Sequence, residues 1–127
     1  MRKSQSSRVL WFTTGLVLLV FVNEVLAGFF GVMVRNYGVS FGFNIGGILL
    51  NIAVFLILGY KVIWRGEGGG LAAVFWGGGL NLVDRIRFGY VRDYWELFFG
   101  LYNNLADWMI VLGAGVFIIN LWMKRSE

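Results

Sequence analysis

The sequence predicts an all-α integral membrane protein of four transmembrane helices, with both termini on the cytoplasmic side. Three observations carry that expectation. The composition is 58% hydrophobic and only 14% charged, outside the usual range of a soluble fold. Four apolar stretches approach the roughly 20 residues a helix needs to cross the hydrocarbon core. Lys and Arg are divided unevenly between the two sides that those stretches define. With 127 residues there is room for one domain, 1–127.

The first stretch, Val9 to Val34, is broken only by Asn23 and Glu24. Its basic head and long apolar run, with no small-x-small cleavage site close behind, suit a retained signal anchor. The second runs from Phe41 to Tyr60 and is followed by Lys61 and Arg65. The third, Gly68 to Val83, is short and ends at Asp84 and Arg85; its Gly77 to Gly79 allow close helix approach. The fourth, Leu105 to Met123, is closed by Lys124 and Arg125. A cytoplasmic N-terminus puts seven cations inside (Arg2, Lys3, Arg8, Lys61, Arg65, Lys124, Arg125) and four outside (Arg35, Arg85, Arg87, Arg92). That excess fixes the expected orientation. The segment from Asp84 to Asn104 then lies outside as a membrane-hugging loop, its many rings at headgroup level. Helix and hairpin are both open for Tyr94 to Tyr102.

Composition also narrows the chemistry. The chain has no Cys and no His, which excludes thiol nucleophiles, serine-histidine pairs and the usual zinc sites. The net charge of +4 sits in small clusters, which suits membrane orientation and not nucleic acid. "GEGGG" is followed by no Lys-Ser or Lys-Thr and is no phosphate loop. No metal or cofactor is expected.

A carboxylate in mid-bilayer costs at least a few kcal/mol, about 2.5 or more, so a membrane protein keeps one at an interface, in a pair or in a working site. Asn81, Asp84 and Arg85 are spaced i, i+3, i+4 and share a face at the outer end of the third stretch. Asn104 and Asp107 repeat the i, i+3 relation at the outer start of the fourth, and Asp93 lies in the loop between. Taken singly, Asp and Asn cap helix ends and Arg85 snorkels to the headgroups. Their accumulation at one depth points instead to a site.

"NLVDRIRFGYVRD" followed by "NLAD" resembles the hallmark of the lipoprotein signal peptidases, the signal peptidase II family: Asn-x-x-Asp-Arg, Gly-x-Val-x-Asp, then Asn-x-Ala-Asp. "NYGVSFG", Asn36 to Gly42, is similar to a further block of that family, and the blocks together span Asn36 to Asp107. The resemblance implies that Asp93 and Asp107 are the catalytic aspartates, with Asn81, Asp84, Arg85 and Asn104 as supporting polar residues. It places Asn36 and Gly38 near the substrate. It further implies an intramembrane aspartic endopeptidase of the bacterial cytoplasmic (inner) membrane. The partners it implies are a diacylglyceryl-modified prolipoprotein, cut just before the lipidated cysteine, and membrane lipids. A monomer is expected, although no residue pattern here reads out the oligomeric state.

The residues suit that chemistry. Two carboxylates sharing one proton repel each other, so one stays protonated while the other activates water, and neither His nor metal is needed. Such a pair titrates as a unit. The loop between positions 93 and 107 is able to fold back, although spacing alone does not demonstrate convergence.

The chain also departs from the family pattern. Where the family carries an Asp and then a Lys near the end of the first span, "VNEVLAGF" has Asn23 or Glu24 and no lysine. The following outer segment is short, and Leu80 stands in place of a glycine before Asn81. Glu24 is expected to lie near the interface or to pair with Arg35 or Arg85. These departures favour, as the alternative, a catalytically silent relative that binds lipidated peptides or serves as a small membrane-complex subunit. A channel or transporter subunit would instead place charges near mid-bilayer on several helices.

Overall fold

The computed structural model describes residues 4–37 and 44–127. Four helices dominate: α1 (Gln5–Phe30), α2 (Asn44–Gly59), α3 (Gly70–Phe88) and α4 (Leu105–Arg125). Four short strands join them: β1 (Val34–Asn36), β2 (Val91–Asp93), β3 (Trp95–Glu96) and β4 (Tyr102–Asn103). The helices follow the apolar stretches, displaced by a few residues at their ends. α1 begins earlier than expected because Ser4 caps it, its hydroxyl accepting from the Ser7 amide at 3.2 Å. α2 passes into one π-helical turn, Tyr60–Trp64, before the glycine-rich turn that leads to α3.

Among the described residues, three helical segments are long and apolar enough to cross a membrane: Gln5–Phe30, Gly47–Trp64 and Leu105–Arg125. Their large apolar side chains face outward, among them Leu18, Phe21, Leu50, Leu56, Leu112 and Trp122. Continuous apolar surface of this extent needs lipid and not water around it. α3 differs. It packs against α1, α2 and α4 and is most extensively in contact with α4. Shielded by its neighbours, it has no need of an all-apolar surface, and it carries Asn81, Asp84 and Arg85.

Glycine sets the α3–α4 distance. A methyl group added at Gly70 would collide with the Gly113 carbonyl oxygen, and one at Gly77 would meet the Ala106 carbonyl at 2.8 Å. Backbones this close gain van der Waals contact over their whole length, the usual basis of association where lipid removes the hydrophobic drive. The helices run alternately up and down. At the end where α1 starts and α4 finishes, the Arg8 guanidinium donates from Nε to the Ile63 carbonyl at 2.5 Å. Phe12, Val62, Leu71 and Phe75 form an apolar core there, with Phe55 stacked on Phe75 at 4.6 Å.

The opposite end holds the strands. β1 pairs antiparallel with β2 in the register Val34↔Asp93, Arg35↔Arg92, Asn36↔Val91. β3 pairs antiparallel with β4, so the stretch from Tyr94 to Tyr102 is a hairpin. Gly89 makes the turn out of α3 possible. It adopts φ +82° and its amide donates to the Arg85 carbonyl at 2.9 Å, a left-handed cap that favours glycine.

Candidate active site

Asn104 is the centre of the polar end. As the N-cap of α4 it forms a capping box with Asp107: its Oδ1 accepts from the Asp107 amide at 3.0 Å, and Asp107 Oδ2 accepts from the Asn104 amide at 3.1 Å. Capping alone would leave the Asn104 side-chain amide pointing at nothing in particular. Instead Nδ2 donates to Asp93 Oδ1 at 2.9 Å and to the Arg92 carbonyl at 3.3 Å. One residue thus bonds to both aspartates, bringing together carboxyl groups fourteen positions apart. The helix-capping explanation of Asn104 and Asp107 is correct for the local structure, and it is also what places them.

Asp93 is 2% exposed at the end of β2. Burial pushes its carboxyl up to about 6, the negative charge of Asp107 adds to the rise, and hydrogen bonds from Asn36 and Asn104 oppose it. Asn36 therefore meets Asp93 from β1, the strand paired with β2. Gly38, assigned with it from sequence, lies outside the described residues.

Asn81, Asp84 and Arg85 do not act as one face. Asp84 is buried and turned to β2, where its carboxylate accepts from Arg92 three times: from N at 3.0 Å, Nε at 3.1 Å and NH2 at 2.8 Å. Arg85 is turned to α2, its NH1 donating to Asn51 Oδ1 at 2.6 Å, and lies within electrostatic reach of Asp107 and Asp93. Its Nε is buried without a hydrogen-bond partner among the described residues. Asn81 is half-buried, and among the described residues it takes no part in the network that ties the others together.

Glu24 does not pair with Arg35 or Arg85. It accepts from Arg92 NH2 at 2.6 Å and from Arg87 NH1 at 2.5 Å. The reason is the return of the chain through β2, which lays Arg92 against α1, while Arg35 sits over the Tyr90 ring at 5.2 Å and Arg85 is engaged with α2.

Sequence reasoning passed over Arg92 and Tyr94. Arg92 occupies an unspecified position of the Gly-x-Val-x-Asp block, and it is 7% exposed. Burial alone would lower its pKa, but Asp84 and Glu24 hold it well above the usual guanidinium value. Tyr94 differs from the other rings expected at the headgroups. It is 0% exposed, and its hydroxyl donates to Asn23 Oδ1 at 2.5 Å while accepting from the Leu105 amide at 3.1 Å. The usable signal was Glu24 itself: a carboxylate within an apolar helix requires a cation at its depth. Among the described residues no group of three or more metal-ligating side chains occurs.

An integral membrane protein with two aspartates brought onto one asparagine, at the polar end of a helical bundle, defines a narrow class. The family model described as Signal peptidase (SPase) II matches residues 6–123, and the chain belongs to that family. It is 37% identical over 101 residues to a protein named lipoprotein signal peptidase from Halothermothrix orenii, covering 73% of this chain and 70% of the relative. A protein of the same name from Syntrophus aciditrophicus is 36% identical over 122 residues, covering 81% and 76%. One from Pasteurella multocida is 33% identical over 111 residues, covering 74% and 67%. No solved structure matches the chain.

Proposed function

We propose that the protein is an intramembrane aspartic endopeptidase that removes the signal peptide of diacylglyceryl-modified prolipoproteins, cutting just before the lipidated cysteine. Asp93 and Asp107 are its reacting pair. The observation that carries this reading is the double engagement of Asn104, hydrogen-bonded to both aspartates inside the Asn-x-Ala-Asp block. The names of the similar proteins and the family supply the substrate class.

In the reaction the pair holds one proton between its two carboxyl groups. The ionised carboxylate takes a proton from water as the water oxygen bonds to the scissile carbonyl carbon. The protonated partner gives its proton to the carbonyl oxygen. The tetrahedral intermediate then collapses: one of its two hydroxyls returns a proton to that partner as the C=O bond re-forms, the C–N bond breaks, and the departing amine of the cysteine takes the proton gained from water, so the pair again holds one proton. Arg85, whose Nε has no hydrogen-bond partner among the described residues, brings a positive charge within electrostatic reach of both aspartates. Asp84, Asn104 and Asn36 hold the strand and helix that carry the two aspartates.

All four helices cross the cytoplasmic membrane of a bacterium, α3 packed against each of the other three, with both termini cytoplasmic and the polar end outside. There water reaches the pair, and a lipid-anchored peptide enters sideways from the bilayer. The enzyme works as a monomer. The test is to incubate the purified protein with a diacylglyceryl-modified prolipoprotein and look for release of the signal peptide. Release that disappears in Asp93→Asn and in Asp107→Asn supports the reading. Full activity in either folded variant removes the assignment, and binding without cleavage by the native protein favours a silent relative.

A further inference from the structure

We propose that Arg92 is a positioning residue for Asp93, clamped between Asp84 of α3 and Glu24 of α1 so that the strand bearing Asp93 is held at a fixed place relative to both helices. The backbone of Arg92 is held through both its amide and its carbonyl. The Arg92 amide donates to Asp84 Oδ2 at 3.0 Å, and its carbonyl accepts from Asn104 Nδ2 at 3.3 Å. The guanidinium spans two carboxylates, bonding Asp84 through Nε and NH2 and Glu24 through NH1 and NH2, and lies 4.5 Å from the centre of the Phe88 ring. A planar, five-donor fork is needed for this; a point charge on a flexible stem does not bridge both acids at once. The same Asn104 nitrogen that holds the Arg92 carbonyl donates to Asp93 Oδ1 at 2.9 Å, so slack at position 92 is passed directly to the carboxyl group.

The clamp also has an electrostatic role. Asp93 senses the charges of Asp107 on α4 and of Asp84 and Arg85 on α3, while Glu24 on α1 reaches it only through Arg92. Asp84 already raises the Asp93 pKa. Without the Arg92 guanidinium its charge would be opposed only through Arg85, and Asp93 would hold its proton to higher pH.

This inference rests on Asp93 being one of the reacting pair, so its test includes readouts that require no turnover. In Arg92→Gln the protonated-carboxyl infrared band of Asp93, assigned by its loss in Asp93→Asn, is expected to titrate about half a pH unit or more above its native midpoint. In the cleavage assay kcat is expected to fall about tenfold or more, with KM within about twofold. Arg92→Lys keeps the charge and should keep the native titration midpoint while recovering only part of kcat. A folded Arg92→Gln protein with the native midpoint and native kcat overturns the proposal. Should Arg92→Gln fail to fold, Glu24→Gln opens one side of the clamp and leaves Arg92 on Asp84. Faster hydrogen exchange at the Arg92 amide, and at the Met33 amide that donates to the Asp93 carbonyl, is then expected. Unchanged exchange at both overturns the proposal. If the native protein cleaves nothing, the function proposed above fails, yet the titration and exchange still decide the role of Arg92.

Discussion

The two ends of the bundle are built on opposite terms. At the end where α1 begins and α4 finishes, the buried residues are apolar: Phe12, Val62, Leu71 and Phe75, with Trp76 Nε1 satisfied by the Phe12 carbonyl at 3.0 Å. At the other end the buried set includes Asn23, Asp84, Arg92, Asp93, Asn103 and Asn104. The first arrangement stabilises by packing, at little electrostatic cost. The second buries charges whose desolvation is offset only while each keeps its partners. Separating the two lets the protein hold an unfavourable carboxyl such as Asp93 without weakening the helix contacts that keep it inserted.

The comparison is tested first by Asp93→Asn and Asp107→Asn. Each should reduce the cleavage rate by on the order of a thousandfold or more, measured with folded protein in detergent or bilayer. Stability should respond differently. Folded Asp93 keeps its proton up to about pH 6, against an ordinary value of 3.8, so in that window the folded state binds more protons and stability falls as pH rises. Above pH 6 the penalty is on the order of 3 kcal/mol, and Asp93→Asn should remove much of it. Thermal unfolding at neutral pH is therefore expected to move upward in that variant, while at about pH 4 the native protein and the variant should unfold alike.

Phe75→Ala probes the apolar end. It removes a ring that is 5% exposed and stacked on Phe55, which should cost about 3–5 kcal/mol in unfolding measurements. The kcat of the molecules that remain folded should be unaltered. A large fall in their kcat would mean that the two ends are not independent.

The pH profile comes next in size. A pair that works with one shared proton loses activity when that proton leaves, so kcat/KM should decline as pH rises through about 6, approaching about tenfold per unit on that limb. A profile rising through the same range would contradict the assignment of a protonated partner. Tyr94→Phe should have the smallest effect. It deletes a hydroxyl that joins Asn23 to the Leu105 amide, leaving a buried amide oxygen unsatisfied at about 1–2 kcal/mol. Unfolding measurements read that cost, and activity should change less than in the aspartate variants.

Much of this division could be read along the chain. Apolar runs bounded by Lys, Arg, Asn and Asp mark α1, α2 and α4, because a helix in lipid must satisfy its own backbone and end where water begins. Asn104 and Asp107 are three positions apart at a helix start, a spacing with a local geometric meaning. What could not be read was the fold-back. Arg92 meets Glu24 across sixty-eight positions, and Tyr94 meets Asn23 across seventy-one. Such partners are set by how β2 lies against α1, which i, i+3 and i, i+4 rules do not reach. For the same reason Asn81, Asp84 and Arg85, one face by helical spacing, serve different neighbours: Asp84 reaches a returning strand and Arg85 reaches α2.

The most direct test of the central claim, that Asp93 and Asp107 act as one electrostatically joined pair, is the titration of the Asp93 carboxyl in Asp107→Asn compared with the native protein. Burial is the larger cause of the raised Asp93 value and would remain, but the push from the Asp107 charge would be gone. The midpoint should therefore fall from about 6 towards the ordinary carboxylate range. An unchanged midpoint in a folded Asp107→Asn protein would mean that the two aspartates do not sense each other.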